Sequence, residues 1–178
     1  MSAKTLRKAK WFWGWQDEKE EAWLREMAGQ GWHLVSPRFP GIYRLAAGEP
    51  RNVVYRLDFF SESKKEYQAY LQLFRDAGWE HVGAMSGWQH VRQEARPGES
   101  PEIFTDVESK VGKYERLMTY LGMLFAVFVI FLPSLGDVVP GKPTALDVAF
   151  VVFWTGLTVL LAFGLVMLYR RIRQLKRG

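Results

Sequence analysis

Two long stretches of the chain, residues 117–136 and 148–169, contain no Asp, Glu, Lys, Arg or His. An α-helix rises about 1.5 Å per residue, and the hydrocarbon core of a bilayer is roughly 30 Å thick. Helices of these lengths reach across a membrane. We therefore predict a two-helix transmembrane hairpin whose extracytoplasmic loop comprises residues 137–147.

The distribution of charge orients the predicted hairpin. The net charge is +5, but residues 1–112 contain 16 basic and 16 acidic side chains, so the whole excess lies in residues 113–178. Basic residues flank the cytoplasmic ends of membrane spans. We expect both termini in the cytoplasm and the basic tail, residues 170–178, on anionic lipid headgroups. The predicted membrane-interface residues are Lys113, Arg116, Arg170, Arg171 and Arg173.

Composition excludes several classes of function. The soluble part has no net charge, which argues against direct nucleic-acid binding. The chain contains no cysteine, so disulfides and thiolate chemistry are excluded. Its three histidines, His33, His81 and His90, are not spaced as metal ligands. We predict no metal, no cofactor and no catalytic residue, and thus a protein that is not an enzyme.

Residues 1–104 are predicted to form a cytoplasmic α+β domain with a C-terminal linker. Alternating aromatic residues in 8–15 predict a strand, helical spacing over 18–28 predicts a helix, and two short strands follow at 32–35 and 41–45. The acidic residues at the start of this helix, 17–21, are interpreted as a solvated first turn.

The same order of elements repeats from residue 53. Leu24 matches Leu71 and Gly31 matches Gly78, both 47 residues further along the chain. A duplicated strand–helix–strand–strand unit predicts one antiparallel sheet with two helices on one face. The alternative is chance recurrence of helix–glycine–strand order in two small α+β units.

A further helix is predicted to connect this domain to the membrane. It begins near Thr105, forms a juxtamembrane segment at 105–116 and continues into the first span. Small residues such as Gly122 and Ala126 permit close approach of helices, either between the two spans or in a homodimer. Neither span contains an ionisable residue, which favours an anchor over an ion pathway.

Tryptophan is the most unusual feature of the soluble part. Trp11, Trp13 and Trp15 share one face of the first predicted strand, where they can line an apolar ligand groove, contact lipid headgroups or meet a partner protein. Core packing is the alternative. Further candidate binding residues on the neighbouring predicted strands are Arg44, Tyr55 and Asp58.

Residues 8–117 resemble a bacterial family catalogued as domain-of-unknown-function family 2812. The motifs that carry the resemblance are KWFWGWQDEKEEAWLREMAGQGWHL, GEPRNVVYRLDF, EYQAYLQLFRDAGWEHVGAMSGWQHVR and EIFTDVESKVGKYERL. The resemblance implies a membrane-associated protein often encoded beside PadR-type transcription regulators, and it supplies no catalytic residues. The duplicated order also looks like GyrI-like small-molecule-binding domains, at the level of fold alone.

These observations favour a membrane-anchored cytoplasmic sensor or regulatory protein that binds an apolar ligand, a lipid or a regulatory partner. The alternative is a structural or accessory subunit of a membrane protein complex. The expected partners are anionic membrane lipids and either a transcription regulator or another membrane protein.

Overall fold

The computed structural model describes residues 4–60, 64–95, 101–103, 107–131 and 144–177. Six strands and four helices lie within these ranges. In chain order they are β1 (Thr5–Ala9), α1 (Asp17–Gly29), β2 (Trp32–Arg38), β3 (Ile42–Ala47), β4 (Val53–Phe59), α2 (Lys64–Asp76), β5 (Glu80–Met85), β6 (Trp88–Glu94), α3 (Val107–Ile130) and α4 (Ala145–Leu175).

The first eight elements form two copies of one strand–helix–strand–strand unit, β1-α1-β2-β3 and β4-α2-β5-β6. Each copy builds its own three-stranded antiparallel sheet with the same strand order, β1-β3-β2 in sheet A and β4-β6-β5 in sheet B. Each helix is followed by a glycine at positive φ, Gly31 at 81° and Gly78 at 80°, a conformation that glycine adopts without steric cost. The α+β class is confirmed, but the prediction of one sheet is wrong.

The reason for two sheets lies in the edge strands β2 and β5, which are neighbours. Each contains a β-bulge, between Leu34 and Ser36 in β2 and between His81 and Gly83 in β5. A bulge disrupts the regular spacing of backbone groups along an edge. Pro37 of β2 has no N–H to donate, and its ring lies where a Cβ on Gly83 would be 3.0 Å away. The two edges therefore meet without forming one ladder.

The prediction of two helices on one face is also wrong. Helix α1 packs against strands of both sheets, β2 and β4, whereas α2 packs against β5. Leu24 of α1 is 1% exposed and packs with Tyr43 and Leu45 in the larger core; full burial of such a side chain contributes roughly 1.5–3 kcal/mol. The smaller core contains Val54, Phe74, Trp79 and Val91.

The first strand ends earlier than predicted, so the tryptophans of residues 8–15 lie outside the sheet. The Lys10 N–H donates to the Gly41 carbonyl at 2.8 Å, and the chain then leaves β3. The Gln16 N–H donates to the Trp13 carbonyl at 2.7 Å, while the Gln16 side chain accepts from the Trp13 N–H at 3.2 Å. These local hydrogen bonds replace strand pairing and form a turn that leads directly into α1.

The chain divides into two compact units, residues 1–113 and 114–178. Helix α3 contributes to both. Within the described ranges, α4 is the one helix long and apolar enough to cross a membrane, as judged by length and composition. It is a candidate span at the C-terminal end of the chain and suggests membrane association.

The predicted two-helix hairpin is therefore reduced to one candidate span. The first half of α3 carries three charged side chains within residues 113–116. The described apolar stretch that follows, 117–131, would cover only about 22 Å as a helix. Residues 132–136 of the predicted first span, and residues 137–143 of the predicted loop, lie outside the described ranges.

Helix α4 begins before the apolar window because Thr144 caps it. The Thr144 hydroxyl accepts from the Asp147 N–H at 3.3 Å, and the Asp147 carboxylate accepts from the Thr144 N–H at 2.9 Å. This capping box satisfies two backbone donors at the helix start. At the other end the helix continues to Leu175, well into the basic tail.

Candidate functional site

Three candidate binding residues, Trp11, Trp13 and Trp15, lie together in the segment between β1 and α1. The Trp13 ring stacks on Trp15 with centroids 5.3 Å apart and meets Trp11 edge-on at 5.6 Å. Phe39, in the turn between β2 and β3, adds a fourth ring 6.3 Å from Trp11. We call these four residues the aromatic surface.

Most of the aromatic surface is exposed. Phe39 is 68% exposed, Trp11 52% and Trp13 36%. Phe12, which alternates with the tryptophans along the chain, packs inward against Trp23. Core packing thus accounts for Phe12 but not for Trp11 or Trp13. Contiguous exposed apolar side chains mark interaction sites on soluble domains.

The other three candidate binding residues lie apart from one another. Arg44 is exposed on β3 of sheet A, whereas Tyr55 and Asp58 are buried in β4 of sheet B. The Tyr55 hydroxyl accepts from the Leu34 N–H at 3.2 Å, and the Asp58 carboxylate accepts from the Tyr70 hydroxyl at 3.1 Å. The structure therefore does not bring these three residues together at one ligand group.

A cleft of about 730 Å³ lies between the two copies of the unit. Small-molecule sites have volumes of roughly 300–1,000 Å³. Its walls include His33 and Val35 of β2 and, 47 residues further along, Glu80 and Val82 of β5. Equivalent strands of the duplicated unit therefore border the same space.

The two β-bulges contribute directly to this cleft. Each bulge leaves one residue without a cross-strand partner, Val35 in β2 and Val82 in β5. Both valines line the cleft, with the buried side chains of Leu34 and Val53 beside them. Bulges redirect side chains and are common next to functional sites. Sequence reasoning missed the cleft, because a bulge has no clear signature in the alternation of residues.

Two ion pairs border the cleft. The Arg92 guanidinium donates to both carboxylate oxygens of Glu80, at 2.8 and 2.7 Å, and to the Leu34 carbonyl at 3.2 Å. Arg51 pairs with Glu94 at 2.9 Å. The Glu80 and Glu94 side chains are 63% and 65% exposed. Arg92 is thus held at the cleft by both Glu80 and the Leu34 carbonyl, and the Glu80 side chain is the more exposed of these two partners.

Three carboxylates at the start of α1 are buried. Asp17, Glu20 and Glu21 are 2%, 5% and 7% exposed, so the interpretation of a solvated acidic turn is wrong for them. Their positions, together with those of Leu24 and Ala28, follow the i, i+3, i+4, i+7 pattern of one helix face. That spacing is the sequence signal that identifies them as inward-facing.

Glu21 and Lys113 cover the free edge of β4. The Leu57 N–H donates to Glu21 Oε1 at 2.8 Å, and the Leu57 carbonyl accepts from Lys113 Nζ at 3.3 Å. Lys113 also pairs with Asp17 at 2.6 Å, and Arg56 lies 3.4 Å from the Glu21 carboxylate. An edge strand presents unpaired backbone groups. Here two ionisable side chains satisfy both backbone groups of one edge residue.

The environment of these groups shifts their protonation. Burial raises the pKa of Glu21 to about 8, against the opposing effects of Lys113, the Leu57 N–H and Arg56. Burial alone would lower the pKa of Lys113, but Asp17 and Glu21 outweigh it and raise that pKa. A carboxyl group that titrates near neutral pH is typical of functional sites and also of structural networks.

Glu20 connects α1 to both sheets. Its Oε1 accepts from the Tyr43 hydroxyl of sheet A at 2.8 Å and lies 2.7 Å from His90 Nε2 of sheet B. Burial raises the pKa of Tyr43, so its hydroxyl remains a donor at physiological pH. Nδ1 of His90 is buried and has no hydrogen-bond partner among the described residues.

The predicted membrane-interface residues occupy different environments. Lys113 belongs to the first unit, and its side chain is only 12% exposed. In the second unit, the Arg171 guanidinium lies 5.9 Å from the centre of the Tyr114 ring. The remaining members of the set are the half-buried Arg116 and the exposed Arg170 and Arg173.

Within the ranges that the structure describes, no group of three or more His, Asp or Glu side chains is arranged to hold a metal ion. Comparison with known proteins finds a family model, described as Protein of unknown function (DUF2812), that matches residues 16–126. The match covers more than half of the chain and includes the buried carboxylates and the cleft, but it begins after Trp15. No curated protein and no solved structure matches. The chain therefore belongs to the family described as Protein of unknown function (DUF2812).

Proposed function

We propose that this protein is a non-enzymatic, membrane-anchored sensor or regulatory protein that binds a small ligand in the cleft between its two halves. The observation that carries the proposal is that equivalent strands and equivalent bulges border one space of about 730 Å³. A ligand in this position contacts both copies of the unit, so its binding free energy depends on the arrangement of the two sheets.

The cleft favours an amphipathic ligand with one anionic group. Val35, Val82 and Leu34 provide an apolar wall. The Arg92 guanidinium is oriented by the Leu34 carbonyl, and a ligand carboxylate can replace Glu80 in the same bidentate geometry. Because Arg92 joins a strand of sheet B to a strand of sheet A, ligand binding there changes a contact between the sheets.

Ligand binding is tested with the full chain in detergent, by thermal unfolding in the presence of medium-chain carboxylates and the corresponding alcohols. A ligand at 100 times its Kd stabilises the folded state by about 2.7 kcal/mol. We expect carboxylates to raise the unfolding temperature more than alcohols do. Val35→Phe and Val82→Phe fill the cleft and should abolish the shift, whereas Leu73→Phe on the exposed face of α2 should preserve it. A shift that survives in both cleft variants contradicts the proposal.

The membrane anchor in this proposal has two spans, with α3 continuing into the first and α4 forming the second. Both termini and the α+β unit are then cytoplasmic, in a multi-pass protein of the cell membrane. The flanking basic residues support this orientation. Because the chain lacks cysteine, single substitutions Leu73→Cys, Leu146→Cys and Lys176→Cys can be labelled with an impermeant reagent. Two spans require residues 73 and 176 on one side, whereas one span separates them.

The second candidate function is an accessory subunit of a membrane protein complex. It is favoured by α4, because only 22% of the residues in its apolar window are buried within the structure. Such a surface contacts either lipid or other helices. If residues 114–178 alone co-purify with another membrane protein or a second copy, the accessory function is supported. A regulatory partner, such as a transcription regulator, should instead require residues 1–113.

A further inference from the structure

The outward face of sheet A combines exposed basic and exposed apolar side chains, and the cleft does not use them. Strands β1, β2 and β3 contain no Asp or Glu. Arg7 lies opposite Arg44, and Ile42 lies opposite Arg38 in the strand register. Side chains at directly opposed positions share a face of the sheet. Tyr43 and the other alternate residues of β3 point inward instead.

The pairing of Arg7 with Arg44 is unusual in water. Like charges directly opposite each other across two strands destabilise a sheet. Both side chains are exposed, and among the described residues no carboxylate forms an ion pair with either of them. An anionic partner would remove this repulsion. The acidic residues of the same copy lie mainly on α1, on the opposite side of the sheet.

The aromatic surface continues this basic face at one end of the sheet. Phe39 follows Arg38 directly, and its ring contacts Trp11. Ile42, 38% exposed, lies between Arg38 and the end of β1. We call the exposed rings of the aromatic surface, together with the neighbouring exposed side chains of sheet A, the aromatic–basic face; the sheet contributes Arg7, Arg38, Ile42 and Arg44.

We infer that the aromatic–basic face docks the α+β unit on the headgroup region of an anionic membrane. Trp and Phe rings favour the interface between water and hydrocarbon, and arginines near the surface are attracted to anionic lipids. The chain carries its own candidate span in α4, so the α+β unit is covalently tethered to any bilayer that α4 enters. The inference is independent of the cleft and gives a role to Arg44, which does not line the cleft.

The absence of cysteine permits a direct test with the full chain in vesicles. A nitroxide is attached at Phe39→Cys, in the face, or at Leu73→Cys, an equally exposed apolar position on α2; the two native residues are 68% and 70% exposed. Accessibility to oxygen and to a nickel chelate reports immersion depth. In vesicles of phosphatidylcholine and phosphatidylglycerol we expect the label at 39 at headgroup depth and the label at 73 in water.

A label at 39 that remains in water in these vesicles overturns the inference. So does equal immersion at both positions, because the contact would not be specific to this face. Spin–spin broadening at 39 that increases with the protein-to-lipid ratio would instead assign the face to contact with a second copy. Because the vesicles contain only purified protein and lipid, no other protein can cover the face in this experiment.

Charge removal separates electrostatic docking from simple apolar contact. Arg7→Ser and Arg44→Ser should each reduce the docked-to-undocked ratio about fivefold in anionic vesicles. Arg75→Ser, at an exposed position on α2, is the matched control and should leave the ratio unchanged. Thermal unfolding verifies that the variants fold. An unchanged ratio in the double variant Arg7→Ser/Arg44→Ser overturns the electrostatic part of the inference.

Discussion

Sheets A and B have the same strand order, and their edge strands have bulges at equivalent positions, yet their equivalent first strands have opposite environments. Four of the five residues of β1 are exposed, whereas six of the seven residues of β4 are buried. Helix α1 packs against β4, and Glu21 and Lys113 bond to its edge. Helix α1 belongs to the same copy of the unit as sheet A, but it leaves the outward face of that sheet exposed. Duplication preserves the backbone arrangement, while the packing of α1 and the contacts of Glu21 and Lys113 bury β4 and leave its counterpart β1 exposed.

The largest expected effect is at the covered edge of β4. Lys113→Met leaves Asp17 buried without its 2.6 Å cation and removes a donor from the Leu57 carbonyl. We expect a loss of about 3–5 kcal/mol in the free energy of unfolding. Lys8→Met, on the exposed strand of sheet A, should change it by less than about 0.5 kcal/mol. Urea unfolding of both variants measures the difference. Equal losses in the free energy of unfolding would show that the edge of β4 contributes no more to stability than β1 does.

The equivalent leucines of the two helices test the same asymmetry in the cores. Leu24 of α1 is 1% exposed, whereas its counterpart Leu71 in α2 is only half-buried. Leu24→Ala should therefore cost about 3 kcal/mol through lost burial and a residual cavity. Leu71→Ala should cost about 1 kcal/mol, because water already reaches the site. A larger loss for Leu71→Ala would mean that the second core contributes more to stability than its burial indicates.

Glu21 predicts a pH dependence that has no equivalent in sheet A. Its folded-state pKa is raised to about 8, so between pH 5 and 8 the folded state binds more protons at this site than the unfolded state. The contribution of Glu21 to stability is therefore present at low pH and is lost as the pH rises through about 8, by on the order of a few kcal/mol.

Glu21→Gln keeps an oxygen acceptor for the Leu57 N–H but cannot titrate, so it should flatten the decline between pH 5 and 8. Urea unfolding at a series of pH values measures this slope. Glu26→Gln, at an exposed position of the same helix, is the control and should retain the decline. If the slope is the same in Glu21→Gln, another group is responsible for it.

The smallest effect is expected on the outward face of sheet A. Arg7→Glu replaces a repulsive pair with an attractive one opposite Arg44, and it should stabilise the chain in detergent by about 0.2–1 kcal/mol. The gain should disappear at 1 M salt, where screening acts within about 3 Å. A stabilisation that persists at high salt would indicate a packing effect instead.

The sequence allowed prediction of both copies of the unit, because alternation, helical spacing and terminating glycines are local signals. It did not predict two sheets, since the bulges at Val35 and Val82 depend on how edges meet in three dimensions. Lys113 is predicted at the membrane interface because it precedes an apolar window, and this stays a prediction. Its pairing with Asp17 joins residues almost a hundred positions apart, which no local pattern reveals.

The three tryptophans of the aromatic surface could be predicted from the sequence, but their arrangement could not. Alternation in residues 8–15 favoured a strand, but hydrogen bonds between Trp13 and Gln16 form a turn instead. Phe39 joins the cluster from a different turn, and nothing in its local sequence indicates that contact. The buried carboxylates were readable from spacing, because Glu20 and Glu21 share the helix face of Leu24.

The cleft also depends on one additional residue in each of the two bulged strands. Val35 and Val82 are each one residue more than the neighbouring strand can pair with. Deletion of either residue would give its strand a regular edge, and the flanking residues would keep their partners and faces, because Leu34 and Ser36 already lie opposite the consecutive residues Leu45 and Arg44. Within this family, chains that keep both residues should therefore have the cleft. Chains that lack one of them should instead pair their two halves directly through β2 and β5.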